Sequence, residues 1–267
     1  MNAVAIGPLM FSGDRLAAIL SIATFMLVST ILSARVDRRI RHWSTQALIV
    51  GLVAARLGHV ALHADSFLAE PWRVIAVWQG GFSMSTGLAT AVFVTAFYLR
   101  PLRTGLAAAF TLGLSLFVWI VTLQLTAATA GQPAPTLAFQ QLDGAPLAFA
   151  DTGGKPVVVN IWATWCPPCR REMPLLAEVA ASRSDVTFLF ANQGEGPDQI
   201  KSFLATQKLA LTHVLLDQGL SLPRHYGTPG IPVTLFLRRD GTLMTAHLGE
   251  ISREALNDNI ARLQEAP

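Results

Sequence analysis

Two rhythms of apolar and polar residues divide the chain. Up to Ala128 the apolar residues form long runs, Leu16 to Leu32, Ser44 to His63, Phe82 to Leu99 and Gly105 to Ala128. Each approaches the roughly 20 helical residues, about 17 to 25, that cross a hydrocarbon core, so about four transmembrane helices are expected. The third and fourth runs hold no charge. The second contains Arg56 and His59, and it also suits a partly re-entrant segment or one packed against its neighbours.

From Pro135 onward, short β-branched runs alternate with longer amphipathic ones, the pattern of an α/β domain. Val157 to Trp162 reads as a buried strand, and Pro167 to about Ser182 as a helix bent near Pro174. A strand over Val186 to Ala191, a helix over Asp198 to Lys208 and a short strand over Thr212 to Leu216 should follow. Val233 to Leu237 and Leu243 to Leu248 form a hairpin around the turn dipeptide Asp240-Gly241, and the last helix begins at the capping candidate Ser252. Between the two regimes lies Ala130-Gly131-Gln132-Pro133-Ala134-Pro135, whose small residues and prolines suit neither helix nor strand interior. The expected organisation is an α-helical membrane domain over 1–130, a linker over 131–136 and an α/β domain over 137–267.

Composition agrees with this division: 52% of the 267 residues are hydrophobic and 14% charged, too apolar for an ordinary soluble chain. Up to Ala130 there are nine Lys or Arg against four Asp or Glu, and beyond it eleven against thirteen, so the net +3 combines +5 with −2. The positive excess clusters between apolar runs, which marks it as a topology signal and not a nucleic-acid surface. Arg35, Arg38, Arg39 and Arg41 follow the first run and Arg100 and Arg103 the third, placing both connections on the cytoplasmic side. The N-terminus, the loop from Ala64 to Gly81 and the α/β domain then face outward, with Trp72 and Trp78 at the lipid interface. The first run is long, more basic on its C-terminal flank and followed by further spans, so a cleavable signal peptide is not expected.

At the junction of the first buried strand and its helix stands Trp165-Cys166-Pro167-Pro168-Cys169. Two intervening residues let Cys166 sit exposed at the helix start while Cys169 is tucked one turn in, within reach of a disulfide. Helix-terminal N–H groups favour the Cys166 thiolate as the attacking form, and Cys169 then resolves the mixed disulfide. The competing reading of such a pair is half a zinc site. A full site needs about four ligands, and this half offers only the scattered His213, His225 and His247, so neither a metal nor a cofactor is expected.

The segment Asn160-Ile161-Trp162-Ala163-Thr164-Trp165-Cys166-Pro167-Pro168-Cys169-Arg170-Arg171-Glu172-Met173-Pro174 resembles the active-site segment of the TlpA/ResA-like thioredoxin family. Ala191-Asn192-Gln193-Gly194-Glu195 resembles the loop after that family's second core strand, and Tyr226-Gly227-Thr228-Pro229-Gly230-Ile231-Pro232-Val233-Thr234 its cis-proline segment. The resemblance implies a thioredoxin-like domain with Pro232 cis and facing the cysteines. It leaves the Ile231 backbone free to pair with an extended substrate beside Trp165, Pro167 and Pro168. It further implies an acid near the cysteines, for which Glu172 is the candidate, an exposed helix carboxylate being the alternative. Asn160 occupies the position of the buried Asp of thioredoxins proper, and Arg170 and Arg171 read as a solvated helix face.

In the first half, Ala55-Arg56-Leu57-Gly58-His59-Val60, then Phe67, Pro71, Val77-Trp78-Gln79-Gly80-Gly81-Phe82-Ser83 and Gly87-Leu88, resembles one part of prolipoprotein diacylglyceryl transferase. Ser85-Thr86-Gly87 stands where that family has a functional His-Gly-Gly, and its later Arg- and Asn-rich signature has no counterpart before the linker. Arg56 and His59, three residues apart on one helix face, either bond backbone carbonyls or lipid phosphate and hold the bundle together, or line a pocket for a lipid or quinone head group.

The whole reads as a thiol-disulfide oxidoreductase of the bacterial inner membrane with its redox domain in the periplasm. Its expected partners are disulfide-containing periplasmic proteins, membrane lipids and a separate transmembrane thiol reductase as electron donor, because two cysteines cannot also relay electrons across a bilayer. Pro167 and Pro168 remove two N–H groups that would stabilise a thiolate, and no histidine sits between the cysteines, which favours a disulfide reductase. The alternatives are a disulfide oxidase or isomerase, a lipid-modifying transferase with a fused redox sensor, and a non-catalytic membrane adaptor.

Overall fold

The computed structural model describes residues 4–6, 9–11, 13–98, 101–126, 131–142, 144–228 and 230–265. Leu99, Arg100, Ala128 and Pro229, which figure in the expectations above, lie outside the described residues. The chain forms two compact units, one over Gly13–Leu125 and one that joins Thr126–Pro267 with Met1–Ser12. A short antiparallel pair, β1 (Val4–Ile6) and β2 (Leu9–Phe11), comes first.

The helical unit contains α1 (Gly13–Arg35), α2 (Arg39–Leu62), the short α3 (Ala64–Ala69), α4 (Met84–Tyr98) and α5 (Leu102–Thr126). Phe25, Ile40, Trp43, Ala47, Val94, Ala107 and Ala108 form its core. Trp43 satisfies its indole N–H by donating to Thr95 Oγ1 at 3.0 Å. Leu27, Phe93, Phe110 and Phe117 point outward, as lipid-facing residues do. Small residues bring α2 and α4 together: a Cβ on Gly87 would lie 3.0 Å from Ala55 Cβ and 3.3 Å from the Gly51 carbonyl, and one on Gly58 would overlap Thr86.

The third expected span forms a shorter helix than the other three. Among the described helices α1, α2 and α5 have the length and composition to cross a membrane, whereas α4 has 15 residues, about 22 Å at 1.5 Å per residue against a core of about 30 Å. Its start is delayed because Gly80 and Gly81 turn the chain with φ of 81° and 82°, and Ser83 N–H is spent on the Ala55 carbonyl at 2.8 Å. The apolar run Phe82 to Tyr98 therefore enters helix only at Met84.

The second unit is built on a five-stranded sheet. In chain order its elements are β3 (Ala138–Gln140), β4 (Pro146–Ala148), β5 (Val157–Trp162), α6 (Pro167–Ser182), β6 (Thr187–Gln193), α7 (Pro197–Gln207), β7 (Val214–Asp217), α8 (Ser221–Tyr226), β8 (Val233–Leu237), β9 (Leu243–Leu248) and α9 (Arg253–Glu265). The sheet order is β7-β6-β5-β8-β9, with β5, β6 and β7 parallel and β8 and β9 antiparallel to their neighbours. All six residues of β5 are buried because both faces are covered. Val158 and Trp162 pack with Met173, Leu176, Phe188 and Ile260 on one face, while Val157, Val159 and Ile161 pack with Leu189, Leu222 and Tyr226 on the other. At the head of α9, Ser252 Oγ accepts Ala255 N–H at 3.2 Å. This is the expected thioredoxin-like α/β domain following a helical membrane unit.

Both outer strands of the sheet are capped by chain from the start of the unit. Beside β7, Leu142 N–H donates to the Val214 carbonyl at 2.8 Å. Beside β9, Gly131 N–H donates to the Leu243 carbonyl, Leu243 N–H to the Gln132 carbonyl and Ala134 N–H to the Gly241 carbonyl, at 2.8, 2.8 and 2.9 Å. His225 Nε2 holds the Pro133 carbonyl at 2.8 Å. Residues 131–134, read as linker, thus lie as a strap along the hairpin, where Pro133 is tolerated because it sits at an edge.

Candidate functional site

Cys166 is the N-cap of α6, with Pro167 and Pro168 in the first two helical positions. Its sulfur accepts the Cys169 N–H at 3.3 Å, and its carbonyl accepts Arg170 N–H at 3.1 Å. The two cysteines form a disulfide with their Cα atoms 5.3 Å apart. Contrary to expectation, Cys166 is buried, at 1% exposure, like Cys169 at 0%. In the disulfide its sulfur is turned onto the first helical turn, in the cluster that holds Trp162, Ala163 and Met173. Trp165, 62% exposed, and the exposed Pro167 form the outer surface beside it.

Glu172 lies one turn beyond Cys169 and is buried, not an exposed helix carboxylate. Asn160 Nδ2 donates to one of its oxygens and Ile251 N–H to the other, both at 2.8 Å. Burial pushes its pKa up to about 8, opposed by these two donors, while Glu250 adds to the rise and Arg171 offsets it. Arg171 is no mere solvated residue, since it pairs with Glu250 at 2.6 Å, and Arg170 stacks over Phe203 at 5.8 Å. Glu250 and Ile251 are therefore both tied to α6, by Arg171 and by Glu172.

A second carboxylate, absent from the candidate residues above, steadies the approach to the cysteines. Glu195 is buried just beyond β6, where Thr164 N–H and Asn192 Nδ2 each donate to its Oε2 at 2.7 Å. Thr164 Oγ1 and Gln199 Nε2 donate to its Oε1. Four donors from β6, α7 and the loop before Cys166 thus converge on one carboxylate, which fixes the backbone two residues ahead of the nucleophile candidate. The Ile231–Pro232 bond is cis. Pro232 is buried, and Ile231 is half-buried against both core clusters. Among the described residues no backbone hydrogen bond engages Ile231.

In the helical unit, Arg56 and His59 meet around the Gly80-Gly81 turn. Arg56 donates from Nε to the Val74 carbonyl at 2.9 Å and from Nη2 to that of Arg73 at 2.6 Å. Its Nη1 donates to the carbonyls of Gly80 and Gly81 at 2.7 and 2.8 Å. A Cβ on Gly81 would lie 2.7 Å from His59 Nε2 and 2.8 Å from Arg56 Nη1. The guanidinium also sits 5.4 Å from the Phe67 ring centre and 5.9 Å from that of Phe82. The stretch from residue 73 to 81 is therefore folded onto α2 by one arginine.

The redoxin family model matches residues 129–262, half of the chain. This chain belongs to the redoxin family. Its redoxin half is similar to the thioredoxin-like protein YneN of Bacillus subtilis, 28% identical over 134 residues that cover 49% of this chain and 78% of that one. It is similar to the thiol-disulfide oxidoreductase ResA of Bacillus thuringiensis, 27% identical over 50% of this chain and 78% of ResA. The thiol:disulfide interchange protein HelX of Rhodobacter capsulatus is 31% identical, over 50% of this chain and 76% of its own length. Residues 3–128 match the model of prolipoprotein diacylglyceryl transferase, in keeping with the resemblance of the first half. The redoxin half is thus a thioredoxin-fold thiol-disulfide oxidoreductase, preceded, among the described residues, by three helices long and apolar enough to cross a membrane.

Proposed function

We propose that this redoxin reduces disulfides of extracytoplasmic proteins while held in the bacterial inner membrane by several spans, its redox unit on the periplasmic side. In the reduced enzyme the Cys166 thiolate attacks a substrate disulfide, forming a mixed disulfide and releasing one substrate sulfur as a thiolate that takes up a proton. The ionised fraction of Glu172 accepts the proton of Cys169. The Cys169 thiolate then attacks the Cys166 sulfur, the second substrate sulfur leaves as a thiolate that takes up a proton, and the Cys166–Cys169 disulfide remains. Two electrons have passed to the substrate. A separate transmembrane thiol reductase restores the dithiol, since the chain has two cysteines in all. The exposed Trp165 and the Ile231 backbone receive the extended substrate.

The observation that carries the direction is the donor set at Cys166. An N-cap acceptor ordinarily reaches the N–H groups of the second and third helical positions. Here the first two are prolines, leaving the Cys169 N–H at 3.3 Å. A thiolate with fewer donors is less stabilised, which makes the dithiol form costlier and the pair a better electron donor. Equilibration with glutathione or dithiothreitol buffers should give a potential below about −200 mV, toward the thioredoxin end of the scale. A value near the strong-oxidant end, about −120 mV, assigns an oxidase or isomerase instead. In membranes, Cys169→Ala should accumulate mixed disulfides whose partners name the substrates, and Cys166→Ala should accumulate none.

A further inference from the structure

Next to the cis-proline turn the redox unit carries an open groove of about 290 Å³, walled by Leu220 and Pro223 and lined by Gln193, Arg224, Thr228 and Gly230. This is the low end of the roughly 300 to 1,000 Å³ of small-ligand sites, a size for a side chain or two. Two of its residues tie it to the redox centre. Gln193 ends β6, next to the Asn192 that donates to Glu195. Gly230 immediately precedes Ile231, and successive Cα atoms are about 3.8 Å apart.

The polar groups of the groove have capacity to spare. Thr228 uses its N–H on the Pro223 carbonyl at 2.9 Å, while its hydroxyl oxygen is buried and has no partner among the described residues. Arg224 is exposed, and one N–H to the Gly219 carbonyl steadies its guanidinium. Arg171, Arg183 and Arg253 each pair with a carboxylate, but no ion pair among the described residues includes Arg224. The neighbouring acid, Asp217, is occupied by Ser221 N–H at 2.7 Å and Leu222 N–H at 2.8 Å. In a half of net charge −2, the rim of this groove is a local cation without an anion.

We infer that the groove is a substrate subsite for a carboxylate side chain, Asp or Glu, lying two or three residues from the substrate cysteine. The inference rests on the proposed pairing of an extended substrate with Ile231. An extended chain advances about 3.3 Å per residue and returns to the same face every second residue, so a side chain that far along reaches the groove. Leu220 and Pro223 pack its methylenes, Arg224 meets its charge, and Gln193 supplies a hydrogen bond.

The full reduced chain in detergent is assayed on two disulfide-bridged peptides that differ only in Glu or Lys two residues from the cysteine. The Glu peptide should be preferred about three- to fivefold in kcat/KM, through KM, as suits a partly exposed ion pair. The preference should vanish in Arg224→Gln, return in Arg224→Lys and invert in Arg224→Glu. In the wild type it should shrink between about 0.05 M and about 0.5 M salt, a readout that needs no variant. Equal kcat/KM for the two peptides, or a preference unchanged in Arg224→Gln, overturns the subsite. Failure of the wild type to reduce either peptide or a small-molecule disulfide overturns the reductase reading itself, a different result from loss of selectivity alone.

Discussion

Glu172 is a carboxyl group set where its charge is unfavourable. With the pKa raised to about 8 from an ordinary 4.5, the folded state holds a proton that the unfolded chain has released. This contribution to stability is fully present below pH 4.5, declines as pH rises toward 8 and is gone above it. Glu172→Gln should remove that slope and stabilise the redox unit at pH 9 by on the order of 4 kcal/mol. The introduced amide keeps an acceptor for Ile251 N–H and offers an N–H to the buried, unpaired Oδ1 of Asn160 after that side chain flips. Urea titrations at pH 5, 7 and 9 check this, and an unchanged fall in stability would exonerate Glu172. The cysteines, the cis proline and this acid stood in short contiguous stretches of sequence, so they could be singled out, though the burial of Cys166 could not be anticipated. Glu195 was legible only as the end of a family-like loop, because its contact with Thr164 spans 31 residues of chain.

Among the elements, α2 and the loop it receives depend on the shape of one side chain. Arg56 spans four carbonyls from Arg73 to Gly81 with a planar fork of donors. Lysine retains the charge but has a single ammonium, so Arg56→Lys should fare nearly as badly as Arg56→Ala, each losing on the order of 3 kcal/mol or more. Protease cutting between residues 64 and 81 in detergent, followed alongside thermal unfolding, measures it. Full rescue by lysine would show that charge alone is needed there. Hydropathy located this helix well but did not show where the next begins. The length of α4 is set by the Gly80-Gly81 turn and by Ser83 bonding across to Ala55, contacts that a run of apolar residues does not reveal. In the redox unit, α8 escaped notice because six residues around Pro223 carry too little periodicity, and β3 and β4 because strands of three residues hardly alternate.

At the scale of the whole molecule, the sheet was legible where strands are buried on both faces. The expected β5 and the hairpin of β8 and β9 coincide with the observed residues. Less legible was what closes the sheet at its sides, because backbone pairing by Gly131, Gln132 and Ala134 leaves no mark in side-chain pattern. That strap also determines where the chain can be cut. A fragment begun at residue 129 keeps it. One begun at Pro135 loses it, baring the Leu243 N–H and the carbonyls of Gly241 and Leu243 along an exposed strand, the kind of edge that recruits another copy. Light scattering should find the longer fragment monomeric and the shorter one associating as concentration rises; equal behaviour would mean the strap is dispensable. Any protease that sheds the redox unit as a soluble protein would therefore have to cleave ahead of Gly131.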